Sequence, residues 1–260
     1  MSENFISPIM EAQYNSGFYT RKELESFGFK HLGQDVLISR KAEIYTPHKI
    51  IIGSCVRIDD FAILSGAIHL GSYIHISAQA TITGGDGVDS SVTLGDFCSL
   101  SLGSKILSMS DDLTSGVLVN SCVDSAFRNV KKSHIILPRH NHIAAMSLVL
   151  PNSIFEEGAN LGPQSLVGDT TLKAYGYYFG SPARLLKILD NNHLLSRERA
   201  FLQSLKSEIL TGGGAVTLPF INTLAPFARF NTSLHHFAIP TPFATPHTSH
   251  FKQYALKGVA

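Results

Sequence analysis

The chain has 260 residues, 44% of them hydrophobic and 16% charged, enough to bury one sizeable core with a small appendage. Twenty-one Lys and Arg against twenty Asp and Glu leave a net charge of +1, which supplies no field for nucleic acid or for insertion at an anionic membrane. Cys55, Cys98 and Cys122 are odd in number and lack metal-ligand spacing, and no apolar run approaches the ~18 residues of a spanning helix or reads as a signal peptide, so the expected location is cytoplasmic.

The first element lies in a lead-in over residues 1–35. Thr20-Arg-Lys-Glu23 has the spacing of a capping box, Leu24 and Phe27 share a face, and Gly28 is a stop, which predicts a short helix. From Ile52 a comb of aliphatic residues then steps by six through Ile58, Leu64, Leu70, Ile76, Ile82, Val88, Leu94 and Leu100 to Ile106. It resumes at Leu137 and runs through Ile143, Val149, Phe155 and Leu161 to Val167.

The residue after a comb position is usually small or turn-forming, as at Gly53, Asp59, Ser65, Gly71, Ser77, Thr83, Asp89 and Gly95. The residue four after is often small or aliphatic, as at Val56, Ala62, Ile74, Ala80, Val92 and Cys98. Period six fits neither a 3.6-residue helix nor a long antiparallel strand. It suits short strands joined by turns, stacked as the coils of a solenoid with a continuous core.

Between the combs, residues 107–134 form a polar stretch too long for a turn, with Asp111, Asp112, Ser115, Gly116 and Asn120. Past the second comb, Leu194, Phe201, Leu202, Leu205 and Ile209 recur at helical spacing, so residues 183–210 are expected to form a helical cap over the open end of the solenoid. Residues 211–260, rich in Thr, Pro, Phe and His, have no period and are expected to be poorly ordered.

The pattern aliphatic, small, any, any, small or aliphatic, any resembles the hexapeptide repeat of the left-handed parallel β-helix acyltransferases. The left hand is implied by that resemblance, because parallel crossovers are otherwise right-handed. It implies an all-β fold over residues 36–182, starting at about Val36, with coils shaped as triangular prisms, and a homotrimer. Phe18-Tyr-Thr-Arg-Lys-Glu-Leu24, Val36-Leu-Ile-Ser-Arg-Lys-Ala42, Val56 to Gly66, Asp111-Asp112, Arg128-Asn-Val-Lys131 and Gly180-Ser-Pro-Ala-Arg-Leu-Leu-Lys187 are similar to the sugar acyltransferase branch. The nearest resemblance is to the N-acyltransferases of anthrose biosynthesis, which act on dTDP-4-amino-4,6-dideoxyglucose.

That resemblance implies an acyl-CoA-dependent transferase acting on a nucleotide-linked amino sugar. It implies coenzyme A along Ala145, Ser147, Gly162 and Ser165, with Ser181, Pro182, Arg184 and Lys187 near the nucleotide end. It also gives Asp111 the role of base or amine-orienting group, with Ser101 as its hydroxyl partner and with Asp112, Arg128 and Asn129 toward the sugar. An ionised aspartate accepts a hydrogen bond from a sugar ammonium but is a weak base for a hydroxyl, which favours N-acylation.

His75, directed outward by strand alternation, is a further candidate, as substrate contact or as base of an O-acetyltransferase. A third reading is a solenoid without catalysis, since Pro138-Arg-His-Asn-His142 interrupts a smooth hexad. His140 and His142 raise zinc as an idea, but two near neighbours make no site without a third, and no metal is expected.

Overall fold

The computed structural model of the chain describes residues 17–211, with side chains to 205. The chain winds as a left-handed parallel β-helix of about seven turns. Each turn contributes one short strand to each of three faces. The first face stacks His31–Leu32, Ile50–Ile52, Ile68–Leu70, Ser91–Leu94 and His134–Leu137, followed by the pair Ile154–Phe155 and Thr171–Leu172. The second stacks Val36–Ile38, Val56–Ile58, Ile74–Ile76, Ser99–Leu100, His142–Ile143, Asn160–Leu161 and Gly176–Phe179. The third stacks Glu43–Tyr45, Ile63–Ser65, Thr81–Thr83, Lys105–Leu107, Leu148–Val149 and Leu166–Val167.

The comb is the core. Fifteen of its sixteen members are buried on the axis of the prism, joined by Val56, Ala62, Ile74, Ala80, Val92 and Cys98 at the edges. The exception is Val88, which is 78% exposed. The step from the third face to the first is six residues at Leu64 to Leu70 but twelve at Ile82 to Leu94. The extra hexad bulges outward as a turn, so the aliphatic phase survives by coincidence of length. Asp86 closes that turn, accepting hydrogen bonds from the backbone N–H groups of Val88 (2.9 Å) and Asp89 (3.0 Å).

The edge between the first and second faces shows how a triangular coil is made from L-residues. Asp35, Cys55, Tyr73, Phe97, His140 and Tyr175 all take φ between 53° and 62° there, a conformation costing a non-glycine residue about 1–2 kcal/mol. The strain is offset by backbone bonds between coils, such as Tyr73 N–H to Ser54 O and Phe97 N–H to Ser72 O, both at 3.0 Å. The half-buried rings also stack, Tyr73 on Phe97 with centroids 5.0 Å apart and Phe97 on His140 at 5.3 Å. Two residues before Cys55 no side chain fits, since a Cβ on Gly53 would lie 2.4 Å from the carbonyl oxygen of Gly71.

Helix α1, Arg21–Ser26, has the expected capping box, with Thr20 and Glu23 each bonded to the other's backbone N–H, and buries Leu24. The solenoid starts earlier than Val36, because His31–Leu32 already pairs in parallel with Ile51 and Ile52. At the other end the expectation of a helical segment from residue 183 is corrected. Arg184–Ile188 is a strand folded antiparallel onto Gly176–Phe179, and helix α2 begins only at Asn192, running to Thr211.

Nor does α2 simply cover the open end. Its Phe201 meets the rings of Tyr73 and Phe97 edge-on, and its Glu198 pairs with Arg139 and lies 3.2 Å from His140. The helix is therefore strapped along the ring ladder of one prism edge. The side chain of Ile209 and the tail over residues 212–260 lie outside the described residues. Among the described residues no helix is long and apolar enough to cross a membrane.

Three histidines give the fold a pH limit. Burial holds His69, His140 and His142 below the ordinary imidazole value of 6.5, and Arg139 adds to the effect at His140. The unfolded chain therefore binds protons that the folded chain refuses, so the stabilisation is complete above pH 6.5 and is lost as pH falls through the lower folded values. Glu23, held at about 2, stays ionised through that window. The thermal midpoint should fall between about pH 7.5 and about pH 5.5, and a midpoint that does not move would contradict the burial of these rings.

Candidate active site

The long insertion leaves the prism after Leu107 and returns at His134. Ser108 anchors its base from a fully buried position, its Oγ donating to Thr83 O at 2.7 Å and its carbonyl accepting from Ser133 N–H at 3.0 Å. Above this the chain forms an antiparallel hairpin, Met109–Asp111 against Val130–Lys132. Lys132 ties the hairpin to the extra turn of the preceding coil through Asp86 at 3.0 Å.

The hairpin positions the two aspartates differently. Asp111 accepts a hydrogen bond from the backbone N–H of Asn120 (3.1 Å) and faces the Arg128 guanidinium at 3.4 Å. Arg128 is largely buried, and its Nε has no partner. Asp112 is committed to the loop itself. It accepts from Thr114 Oγ1 and N–H and from Asn129 Nδ2, and Lys131 lies 3.7 Å away. The Thr114 bonds and then Lys131 hold its carboxyl below the usual carboxylate range. Of the sequence candidates, then, Asp111 stands with Arg128 and Asp112 with Asn129.

Ser101 lies on another part of the prism, at the end of the second-face strand Ser99–Leu100. Its Oγ is 3.3 Å from His142 Nε2, and among the described residues no hydrogen bond joins it to Asp111. The outer side of the second face is a polar strip. The cross-strand register places Arg57, His75, Ser99, His142, Asn160, Tyr177 and Lys187 one above another. His75 does point outward, with its Nε2 2.7 Å from Asp59 Oδ2. Burial alone would raise Asp59, but hydrogen bonds from His75 and Arg57 keep its carboxyl below the usual range.

The residues expected along coenzyme A divide into two groups. Ala145 is half-exposed, and Ser181, Pro182, Arg184 and Lys187 are exposed around the terminal strand. Ser147 and Ser165 are buried inside a prism edge, with their hydroxyls turned to the backbone. Ser147 Oγ donates to Gly162 O at 2.7 Å, and Ser165 Oγ accepts from Gly180 N–H at 2.9 Å. Gly162 is covered too, since a Cβ there would meet Phe179 and the Tyr177 hydroxyl at 2.8 Å.

His140 and His142 diverge, one stacking at the edge and the other lying on the strip. Among the described residues no group of three or more His, Cys, Asp or Glu side chains could hold a metal. His142, weighed in the sequence only as a zinc ligand, meets Ser99 and Ser101 on the strip. Its neighbour Ser99 stands 43 positions earlier, and only after the insertion is removed does that spacing become one coil.

A hexad solenoid carrying a charged hairpin and a polar strip has the architecture of the parallel β-helix class, and its relatives give the activity as acyl transfer. No family model matches the chain. It is 34% identical over 165 residues to the dTDP-4-amino-4,6-dideoxy-D-glucose acyltransferase of Escherichia coli, across 62% of this chain and 83% of that one.

AntD, an N-acyltransferase from Bacillus cereus solved with dTDP and 3-hydroxybutyryl-CoA, is 36% identical with a TM-score of 0.70, covering 73% of this chain and 98% of its own. A serine variant of AntD with dTDP-4-amino-4,6-dideoxyglucose and coenzyme A superposes at 0.69 with the same identity, covering 72% and 98%. The chain belongs to the dTDP-4-amino-4,6-dideoxyglucose acyltransferase family of N-acyltransferases.

Proposed function

We infer that the protein transfers an acyl group from coenzyme A to the amino group of a dTDP-linked 4-amino-4,6-dideoxy sugar. The observation that carries this reading is the near-complete span of AntD, a structure holding both a thymidine nucleotide and an acyl-CoA. The reaction forms one bond and breaks one. The sugar nitrogen attacks the thioester carbonyl, the C–N bond forms, the C–S bond breaks and coenzyme A leaves as the thiolate, to which the proton given up by the amine is finally passed.

Asp111 takes that proton or holds the amine for attack. Its carboxylate lies 3.4 Å from the Arg128 guanidinium, which holds it on the hairpin. Support also comes from AntD, in which variants have been solved at an aspartate and at a serine ten positions apart. Asp111 and Ser101 have the same separation here.

Arg184 and Lys187, exposed on the terminal strand, are suited to the phosphates of coenzyme A, with Ser181 and Pro182 beside them and Ala145 facing the pantetheine. Asp112 and Asn129 act on the sugar by holding the hairpin in shape. His75, already engaged by Asp59, lines the strip.

The working form is a homotrimer. Phe61 (56% exposed), Leu102 (51%) and Met146 (60%) lie along the edge between the second and third faces, an apolar row suited to a second copy. Both co-substrates belong to the cytoplasm, where the protein is placed.

Product chemistry tests N- against O-acylation. The acylated nucleotide sugar should survive mild hydroxylamine, as an amide does. Release of the acyl group would mark an ester and turn the reading to a sugar hydroxyl. Native mass spectrometry should give three times the 28.2 kDa chain, and a monomer would contradict the trimer.

A further inference from the structure

The polar strip holds a second constellation besides the acidic hairpin. The His142 ring sits between two hydroxyls, with Ser99 Oγ 2.5 Å from Nδ1 and Ser101 Oγ 3.3 Å from Nε2. The register explains it: Ser99 lies directly opposite His142, and Ser101 follows two residues later, beyond inward-facing Leu100. A ring bonded at both nitrogens cannot turn, and burial keeps it neutral at pH 7, with a single N–H to give.

We propose that His142 is a positioning residue for acyl transfer, fixing the rotamer and the proton of the Ser101 hydroxyl. With the ring proton on Nδ1, donated to Ser99, Nε2 accepts the Ser101 O–H. The free lone pairs of Ser101 Oγ then point away from the ring and are set to accept an N–H of the acceptor amine. His142 neither gives a proton to substrate nor takes one from it. The proposal rests on the reading of Ser101 as part of the acceptor site.

Two amide variants separate this role from a merely structural one. His142→Asn keeps a group at the Nδ1 position for Ser99 but cannot reach Ser101. His142→Gln places its amide where Nε2 stood. In the full-length protein, kcat should fall about tenfold in His142→Asn, the loss of one hydrogen bond, with KM for acyl-CoA unchanged, and His142→Gln should return to within about threefold.

Added to Ser101→Ala, the Asn change should cost nothing more, because its effect passes through that hydroxyl. Wild-type kcat in His142→Asn, or a full multiplicative loss in the double variant, would overturn the proposal while leaving Ser101 in the site. Wild-type kcat in Ser101→Ala would remove Ser101 from the site and this role of His142 with it.

Discussion

Asp111→Asn should lower turnover by about a hundredfold to ten-thousandfold, the range over which a positioned general base contributes. The substitution keeps the shape of the side chain, and its carbonyl still accepts the Asn120 N–H that shapes the loop. What disappears is the negative charge facing Arg128 and the capacity to take a proton from the amine. KM for acyl-CoA should barely change, since the thioester partner binds elsewhere, and steady-state kinetics with both substrates varied reads the two separately. A variant retaining half of wild-type kcat would remove Asp111 from the chemistry and turn attention to the Ser101 and His142 pair.

The second large effect concerns stability. Leu94→Ala should cost about 2–5 kcal/mol, the range for truncating a fully buried aliphatic side chain between rigid neighbours. Leu94 pairs across the first face with Leu70 on one side and Leu137 on the other, and neither strand can close the gap without leaving its hydrogen-bond register. Val88 stands one comb step earlier, yet Val88→Ser should stay within about 0.5 kcal/mol, as exposed surface substitutions do. Urea denaturation of the two variants side by side checks both, and equal losses would mean that the bulge at residues 84–90 is part of the core.

These two residues also mark what the sequence makes legible. Each strand of a triangular coil returns to the same inward position after six residues, so a buried aliphatic recurs every six and the fold is written openly along the chain. The same rule mistakes Val88 for core, because an excursion of one hexad keeps the phase while leaving the prism. The segment after residue 183 misleads for another reason. Leu185, Leu186 and Ile188 are apolar yet exposed, on a strand that folds back antiparallel where the repeat ends.

Asp111 and Asp112 were legible as a pair, but only their partners distinguish them, and Arg128 and Asn129 lie across a hairpin whose register the sequence does not print. Ser147 and Ser165 are ambiguous in sequence for another reason. Small residues at prism edges suit either a backbone groove or an internal hydroxyl bond, and here the hydroxyls turn inward.

The most direct test is thiol release from 3-hydroxybutyryl-CoA and acetyl-CoA, followed with dTDP-4-amino-4,6-dideoxyglucose as acceptor. Release should depend on the amino sugar, saturate with it, and be nearly abolished in Asp111→Asn. Release at the same rate with and without the amino sugar, or none with either thioester, would contradict acyl transfer to that sugar.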